Sequence, residues 1–250
     1  MTLHRFFAVG PLQDSGELPI SARDVHHIRD VLRLGRGDRI LIVADDAVTE
    51  VRLTGVGQTI SGTRERSLGS EAVPPVLLVQ GIAKGERMDT VIRQATEVGI
   101  TGLIPFTSER CVVQLDASNV RRKVERWRRV AEEAAKQSQR ASVPQVADPV
   151  PLSALPALLA DAVVVVCWEG ADSAPGIGQA LSARRLTSDA IVAVVIGPEG
   201  GLSADEVAFL ESHGASVVTL GSTLLRTDTA GLIASSLVLY ERGALGGRRA

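Results

Sequence analysis

Ile191-Val192-Ala193-Val194-Val195-Ile196-Gly197-Pro198-Glu199-Gly200-Gly201-Leu202-Ser203-Ala204-Asp205-Glu206 passes from an apolar run, through a glycine-rich bend, to a polar helix start. Short β-branched runs bounded by Gly and Pro are buried strands, and Ser203 with Glu206 three residues on is a capping box. Glycines at 197, 200 and 201 permit positive φ or close approach of the backbone to a ligand, while Pro198 stiffens the turn. Taken alone, this half is equally well an ordinary strand-to-helix connection. A second half repeats the pattern: Val217-Val218-Thr219-Leu220 breaks at Gly221, and Leu224-Leu225-Arg226-Thr227-Asp228-Thr229-Ala230-Gly231 follows. Two such units in succession are expected to put backbone donors and acceptors at the carboxyl ends of adjacent strands, where open α/β sheets bind ligands.

Upstream, Val76-Leu77-Leu78-Val79-Gln80-Gly81-Ile82 reads as a strand. Met88, Val91, Ile92, Ala95 and Val98 form one face of a helix stopped by Gly99, and Gly102-Leu103-Ile104-Pro105-Phe106 returns as a strand. This βαβ unit lacks a dinucleotide fingerprint, because Gly81-Ile82-Ala83-Lys84-Gly85 does not carry G-x-G-x-x-G. Ser108 to Val113 leads into a long helix, 116–140, with Val120, Val124, Trp127, Ala131, Ala134 and Ala135 as its apolar stripe. Its other face carries Arg121, Arg122, Lys123, Arg126, Arg128, Arg129, Lys136 and Arg140, which suits either a salt-bridged surface helix or an RNA-facing one. A proline-punctuated connection, 144–156, precedes a buried strand, 162–167, that ends at Trp168-Glu169-Gly170. Helices follow over 177–186 and 229–242, the second with Leu232, Ile233, Ser236, Leu237 and Tyr240 on one face, and 243–250 reads as a frayed tail.

Residues 1–70 read as a small, mostly β unit: a first strand at 4–9, a helix over 21–34 with Ser21 and Asp24 as caps, a hairpin of 39–43 with 48–53 across 44–47, and a strand at 59–64. Residues 67–75 make the best linker. Adjacent His26 and His27 point about 100° apart on a helix and cannot share a metal. The whole chain is 45% hydrophobic and 22% charged with a formal net charge of −2, a globular composition without the global basic field of many nucleic-acid binders. Any nucleic-acid binding must come from local patches. Of 27 basic residues only Lys84, Lys123 and Lys136 are lysines, and arginine favours bidentate phosphate contacts. Cys111 and Cys167 lack metal-ligand spacing and read as reduced thiols. No signal-peptide core and no membrane-length apolar run is present, so a soluble cytoplasmic protein is expected.

The segment Ile196-Gly197-Pro198-Glu199-Gly200-Gly201, followed by Leu220-Gly221 and Leu225-Arg226-Thr227-Asp228-Thr229-Ala230, resembles the carboxyl-terminal signature of SPOUT-type RNA methyltransferases. Within them it is similar to the RsmE-type enzymes, which methylate N3 of a uridine in 16S ribosomal RNA. The amino-terminal His-His-Ile-Arg-Asp-Val-Leu-Arg segment before a Gly-Asp turn is similar to that family's PUA-like barrel, and Lys123-x-x-Arg126-Trp127-x-x-x-Ala131-x-Glu133-Ala134-Ala135-x-Gln137 to the segment bordering its active cleft. Gln139 departs from the pattern by standing where a glycine is expected. The resemblance implies a PUA-like RNA-binding β-barrel at 1–70 and, at 75–250, an α/β domain: a parallel sheet with helices on both faces and a carboxyl-terminal trefoil knot. Chain-topology rules do not favour knots, so the knot rests on the resemblance alone.

The same likeness implies S-adenosylmethionine as cofactor, held by Glu169, Ile196, Gly197, Pro198, Gly200, Gly201, Leu220, Gly221, Leu225, Thr227, Thr229 and Ala230. It implies 16S ribosomal RNA or the small subunit as partner, a homodimer, and no metal. Candidate RNA contacts are Arg5, Arg29, Arg33, Arg36, Lys84, Arg110, Lys123, Arg126 and Arg140, with Arg39 beside them. A solvated charged surface explains any single one of these equally well. A uracil N3 carries a proton and attacks poorly until it is removed or the resulting anion is stabilised. Arg226 is the candidate cation for the carbonyl oxygens and Glu199 the candidate proton acceptor, although Glu199 could instead hold Arg226 or cap the next helix. Two alternatives stay open: methylation of a ribose 2′-hydroxyl or another base, and a ribosome-assembly factor that binds RNA without turnover.

Overall fold

The protein was analysed as a computed structural model, which describes residues 3–44, 47–69, 73–111, 117–171 and 173–246. Its chain divides into two compact units, one of residues 1–72 with 136–142 and one of residues 73–135 with 143–250.

In the first unit β1 (Arg5–Phe7), β2 (Ser15–Glu17), α1 (Ala22–His26), a π-helical turn (His27–Val31), β3 (Arg39–Ala44), β4 (Ala47–Val56) and β5 (Ile60–Gly69) follow in order. The strands form a sheet in the order β1-β3-β4-β5-β2. Inward alternation along the strands gathers Phe6, Ile40, Ile42, Val51, Leu53 and Ile60, and Ile28 closes the core from the helical segment. Ser21 caps α1, its hydroxyl accepting from the Asp24 N–H at 3.1 Å. The Asp24 carboxylate is buried and takes the Lys136 ammonium at 2.7 Å, while Ala141 packs against the cluster of Leu41, Val43 and Val48. Those contacts are why 136–142 belong to this unit.

The expected barrel is an open sheet here. Its edge strands β1 and β2 share no ladder, and a single antiparallel bridge, Ala8 to Ile20, spans the gap. Three-residue edge strands are too short to pair further. β2 has no apolar alternation, and its Ser-Gly-Glu sequence gave no strand signal. β5 continues to Gly69 and so takes in the start of the expected linker; residues 70–72 of that linker, and 45 and 46 of the hairpin turn, lie outside the described residues.

The second unit comprises β6 (Val76–Gly81), α2 (Arg87–Val98), β7 (Gly102–Thr107), α3 (Ala117–Gln137), β8 (Gln145–Val146), β9 (Val150–Pro151), a 3-10 turn (Leu152–Ala154), α4 (Leu155–Leu158), β10 (Ala162–Cys167), α5 (Ile177–Ser182), β11 (Ile191–Ile196), α6 (Ala204–Ser212), β12 (Ser216–Val218) and α7 (Thr227–Glu241). Its seven strands lie in the order β12-β10-β11-β6-β7-β8, with β9 also on β7, and every pairing is parallel. Such sheets are covered on both faces, which is why their strands read as unbroken apolar runs. Val192, Val194 and Ile196 of β11 face α2, α3, α5 and α7, while Ala193 and Val195 face α4 and α6.

Three expectations change. β11 and β12 are not neighbours: β10, apolar along its whole length, pairs on both sides and separates them, leaving the three-residue β12 at the edge. The 144–156 connection contains β8, β9 and the start of α4, which are too short to show a period. The long helix stops at Gln137 instead of 140, and 112–116 lie outside the described residues, as do 247–250 of the tail.

Gln139 has φ +57°, the left-handed conformation for which the family pattern supplies glycine. Gln139→Gly is expected to raise unfolding free energy by about 0.5–1 kcal/mol, the left-handed cost less glycine's larger loss of backbone freedom, measured by chemical denaturation.

A candidate ligand site at the carboxyl edge of the parallel sheet

Register decides where the bends lie. Cys167 pairs with both Ile196 and Val218, and Ile196 pairs with Gln80, so β6, β10, β11 and β12 end level. The bends after them, beginning at Gly81, Trp168, Gly197 and Thr219, therefore share one edge of the sheet. A crevice beyond the carboxyl ends of parallel strands is the usual ligand position in α/β folds.

The 197–201 bend is braced from every side. A Cβ on Gly81 would come within 2.5 Å of the Pro198 ring and 2.8 Å of the Gly197 carbonyl carbon, so the β6 turn lies directly on the bend. One on Gly197 would stand 2.9 Å from the Gly201 carbonyl carbon, and the Gly201 N–H closes a turn on the Pro198 carbonyl at 2.9 Å. Gly200 is pressed against Arg110, with a virtual Cβ 2.9 Å from its backbone oxygen, and the Arg110 guanidinium reaches the Gly200 carbonyl at 3.4 Å. The Glu169 carboxylate lies against the Cα of Gly201, which has φ +68°, and the Trp168 indole N–H donates to the Leu202 carbonyl at 3.2 Å. The capping box forms as read, Ser203 N–H to Glu206 at 2.9 Å and Glu206 N–H to the Ser203 hydroxyl at 3.3 Å.

Glu199 does not hold Arg226 and does not cap α6. Its Oε1 accepts from the Lys84 N–H at 2.9 Å and from Arg87 at 3.0 Å, fastening the β6 turn to the bend; Oε2 makes no hydrogen bond among the described residues. The cap position was already filled by Ser203 and Glu206.

Beyond β12 the chain is open. Gly221 has φ +111° and nothing within 4 Å of a virtual Cβ, and among the described residues 222–225 make no hydrogen bond at all. Peptide groups left unpaired over such a run are available to a ligand. Arg226 follows as N-cap of α7; its carbonyl accepts from the Ala230 N–H at 2.7 Å, while its exposed guanidinium makes no hydrogen bond or ion pair among the described residues. Thr227 is buried, and its hydroxyl donates to the Gly197 carbonyl at 2.6 Å while accepting from Gln80 at 2.9 Å. Thus Glu169, Ile196, Gly197, Pro198, Gly200, Gly201, Leu220, Gly221, Leu225 and Thr227 lie on or beside these strand ends; Thr229 and Ala230 stand in the first turn of α7, Ala230 half-buried and Thr229 exposed.

The basic candidates divide. In the first unit Arg29 is spent on Asp30, at 2.9 and 2.6 Å, and on the Gly57 carbonyl, holding the Asp30 carboxyl down at about 2. Arg39 pairs with Glu65 at 2.8 Å and Glu50 at 3.5 Å across the sheet. Arg33 and Arg36 are exposed without such partners among the described residues, Arg5 is half-buried in β1, and burial lowers Arg140 to about 10, which leaves it a cation at neutral pH. In the second unit Arg126 is ion-paired with buried Asp89, so it is structural in large part, whereas the side chains of Lys84 and Lys123 have no partner among the described residues. Residues that sequence reading passed over are Gly81, Arg87 and Gln80; the last was visible as the one polar side chain in an apolar strand.

Among the described residues no group of His, Cys, Asp or Glu could hold a metal, and no helix is long and apolar enough to cross a membrane. Cys167 is buried, which pushes its thiol up to about 12, while half-buried Cys111 donates to the Ile82 carbonyl at 3.4 Å. Two open depressions, about 380 Å³ beside Val120, Arg128 and Asp148 and about 450 Å³ beside Trp168, Pro175 and Glu211, do not contain the Gly197 or Gly221 bends.

With this geometry in hand, comparison with known proteins is direct. A family model described as RNA methyltransferase domain matches residues 70–239, so the chain belongs to that family. Among its relatives, Ribosomal RNA small subunit methyltransferase E of Bacillus subtilis is 33% identical over 254 residues, covering 98% of this chain and 99% of the relative. The protein of the same name from Mycobacterium bovis is 32% identical over 244 residues, 93% of this chain and 90% of its own. A crystal structure of Ribosomal RNA small subunit methyltransferase E from Neisseria gonorrhoeae bound to S-adenosyl methionine superposes with TM-score 0.82 at 26% identity, covering 96% of this chain and 98% of that one.

Gly81→Ala is expected to cost about 1–3 kcal/mol of stability, because its methyl group cannot be placed without moving the Pro198 bend. Chemical denaturation of the variant measures the loss.

Proposed function

We propose that this protein methylates RNA of the small ribosomal subunit with S-adenosylmethionine as donor, and that the acceptor is N3 of a uridine in 16S ribosomal RNA. The observation that carries the reading is the sheet edge at which the 197 bend, the unpaired run 222–225 and an unpartnered Arg226 come together. The kinship with small-subunit methyltransferases supports the substrate, and the Neisseria relative's bound S-adenosyl methionine supports the donor.

The residues fit such a donor. A bend that admits no Cβ at 197 and has left-handed backbone at 201, with free peptide groups at 222–225, offers backbone contacts to a polar small molecule, and the Glu169 carboxylate stands against Gly201 as a counter-charge for a cation. Bound there, S-adenosylmethionine supplies a methyl group on a sulfonium. The protein's share is orientation and electrostatics: Arg226 stabilises charge growing on the uracil carbonyl oxygens, and Oε2 of Glu199 receives the imide proton, its other oxygen being occupied by Lys84 and Arg87. In this reading the first unit is a PUA-like RNA-binding domain, with Arg33 and Arg36 as its free cations. The second is a SPOUT domain with a carboxyl-terminal knot, acting as a homodimer in the cytoplasm, with Lys84, Arg110 and Lys123 toward the RNA.

S-adenosylmethionine should raise the melting temperature in a thermal-shift titration, since a ligand bound only by the native state stabilises it by mass action. Arg226→Ala should keep that shift and lose at least about tenfold to a hundredfold in turnover on small-subunit RNA, with mass spectrometry of the product locating the methyl group. Normal turnover by this variant removes Arg226 from the chemistry. Glu199→Gln keeps an acceptor for Lys84 and should lose turnover without losing donor binding; full activity would reduce Glu199 to a brace.

A further inference from the structure

Gln80 is the one polar side chain in β6, and it has no exposed surface. Its Nε2 donates to the Gly81 carbonyl at 3.1 Å and the Thr227 hydroxyl at 2.9 Å, and stands 3.5 Å from the Gly197 carbonyl. Because the Thr227 oxygen already accepts from this amide, its single proton is directed to the Gly197 carbonyl, at 2.6 Å. One carboxamide thus sets the polarity of a chain that joins the end of β6, the bend after β11 and the first residue of α7. Among the described residues the Oε1 of Gln80 has no hydrogen-bond partner, and it sits over Gly231, where a virtual Cβ would lie 2.9 Å away. A buried, unpaired amide oxygen is destabilising. An apolar residue would avoid that cost, so retaining the amide points to a use for its donor side.

We propose that Gln80 is a positioning residue for methyl transfer: through Thr227 it fixes the spacing between the Gly197 bend, which holds the donor, and Arg226, which faces the acceptor. This deepens the methyltransferase reading and rests on it. Arg226 immediately precedes Thr227, so the hydroxyl that anchors α7 to the bend also places the guanidinium. Reaction rates fall steeply with misalignment of about an ångström.

The test compares Gln80→Met, Thr227→Val and the double variant by steady-state methylation of small-subunit RNA, with donor affinity from calorimetry and folding from thermal melts. Gln80→Met should lower kcat about tenfold or more while donor Kd changes less than about threefold, and the double variant should be no slower than Thr227→Val, because residues acting through one another are not additive. Gln80→Glu, nearly the same shape but unable to donate when ionised, should lose at least as much and serves if the methionine variant does not fold. A folded Gln80→Met with kcat within twofold of the parent, losses that multiply in the double variant, or a donor Kd weakened in step with kcat would each overturn the role. An unmodified protein that binds no S-adenosylmethionine would instead sink the methyltransferase reading, and Gln80's role with it.

Discussion

The structure depends on one close approach: the backbone of Gly81 lies against Pro198 and Gly197 with no room for a methyl group between them. That contact joins the turn after β6 to the bend after β11, on strands that pair in register through Gln80 and Ile196. Once it is made, the Lys84 N–H falls on Glu199, Arg110 on Gly200 and Thr227 on the Gly197 carbonyl, so the bend is held by hydrogen bonds from three separate segments. A loop braced so densely is stiff. Stiffness at a ligand site lowers the entropy lost on binding and keeps reacting groups aligned.

Parallel pairing supplies the other half of the arrangement. β10 runs between β11 and β12 and pairs with each, so three strand ends stand level although their sequences are separated by helices. The contrast between the two flanking bends follows from position. The bend after β11 is central and close-packed, while residues 222–225, beyond the short edge strand β12, make no hydrogen bond among the described residues. A stiff bend beside a run of free peptide groups is an arrangement suited to holding a polar small molecule.

Much of this was legible in the sequence. The apolar runs at 162–167 and 191–196 are strands to the residue, Gly99 terminates α2 in the left-handed conformation, and Ser203 and Glu206 cap α6 reciprocally. These features are local: period, glycine and capping chemistry act within a few residues. What was hidden is non-local. Nothing in the sequence near β12 says that it pairs with β10 instead of β11, or that residues 136–142 join the first unit through Lys136 and Asp24. Glu199 shows the same limit, because its partners Lys84 and Arg87 lie more than a hundred positions away and spacing along the chain carries no trace of them. Charge was equally ambiguous: Arg126 fitted a salt-bridged helix or an RNA-facing one, and Arg39 a solvated face or an RNA contact, until the fold supplied Asp89, Glu50 and Glu65.

The two cysteines differ in a way that makes one of them a natural handle. Cys167 is enclosed and its thiol stays protonated to about 12, so alkylating reagents will pass it by. Cys111 is partly accessible and follows Arg110, whose backbone presses on Gly200. A maleimide dye added to the unaltered protein should therefore settle beside the bend without any engineering, where its emission would report the arrival of small molecules at the sheet edge in real time.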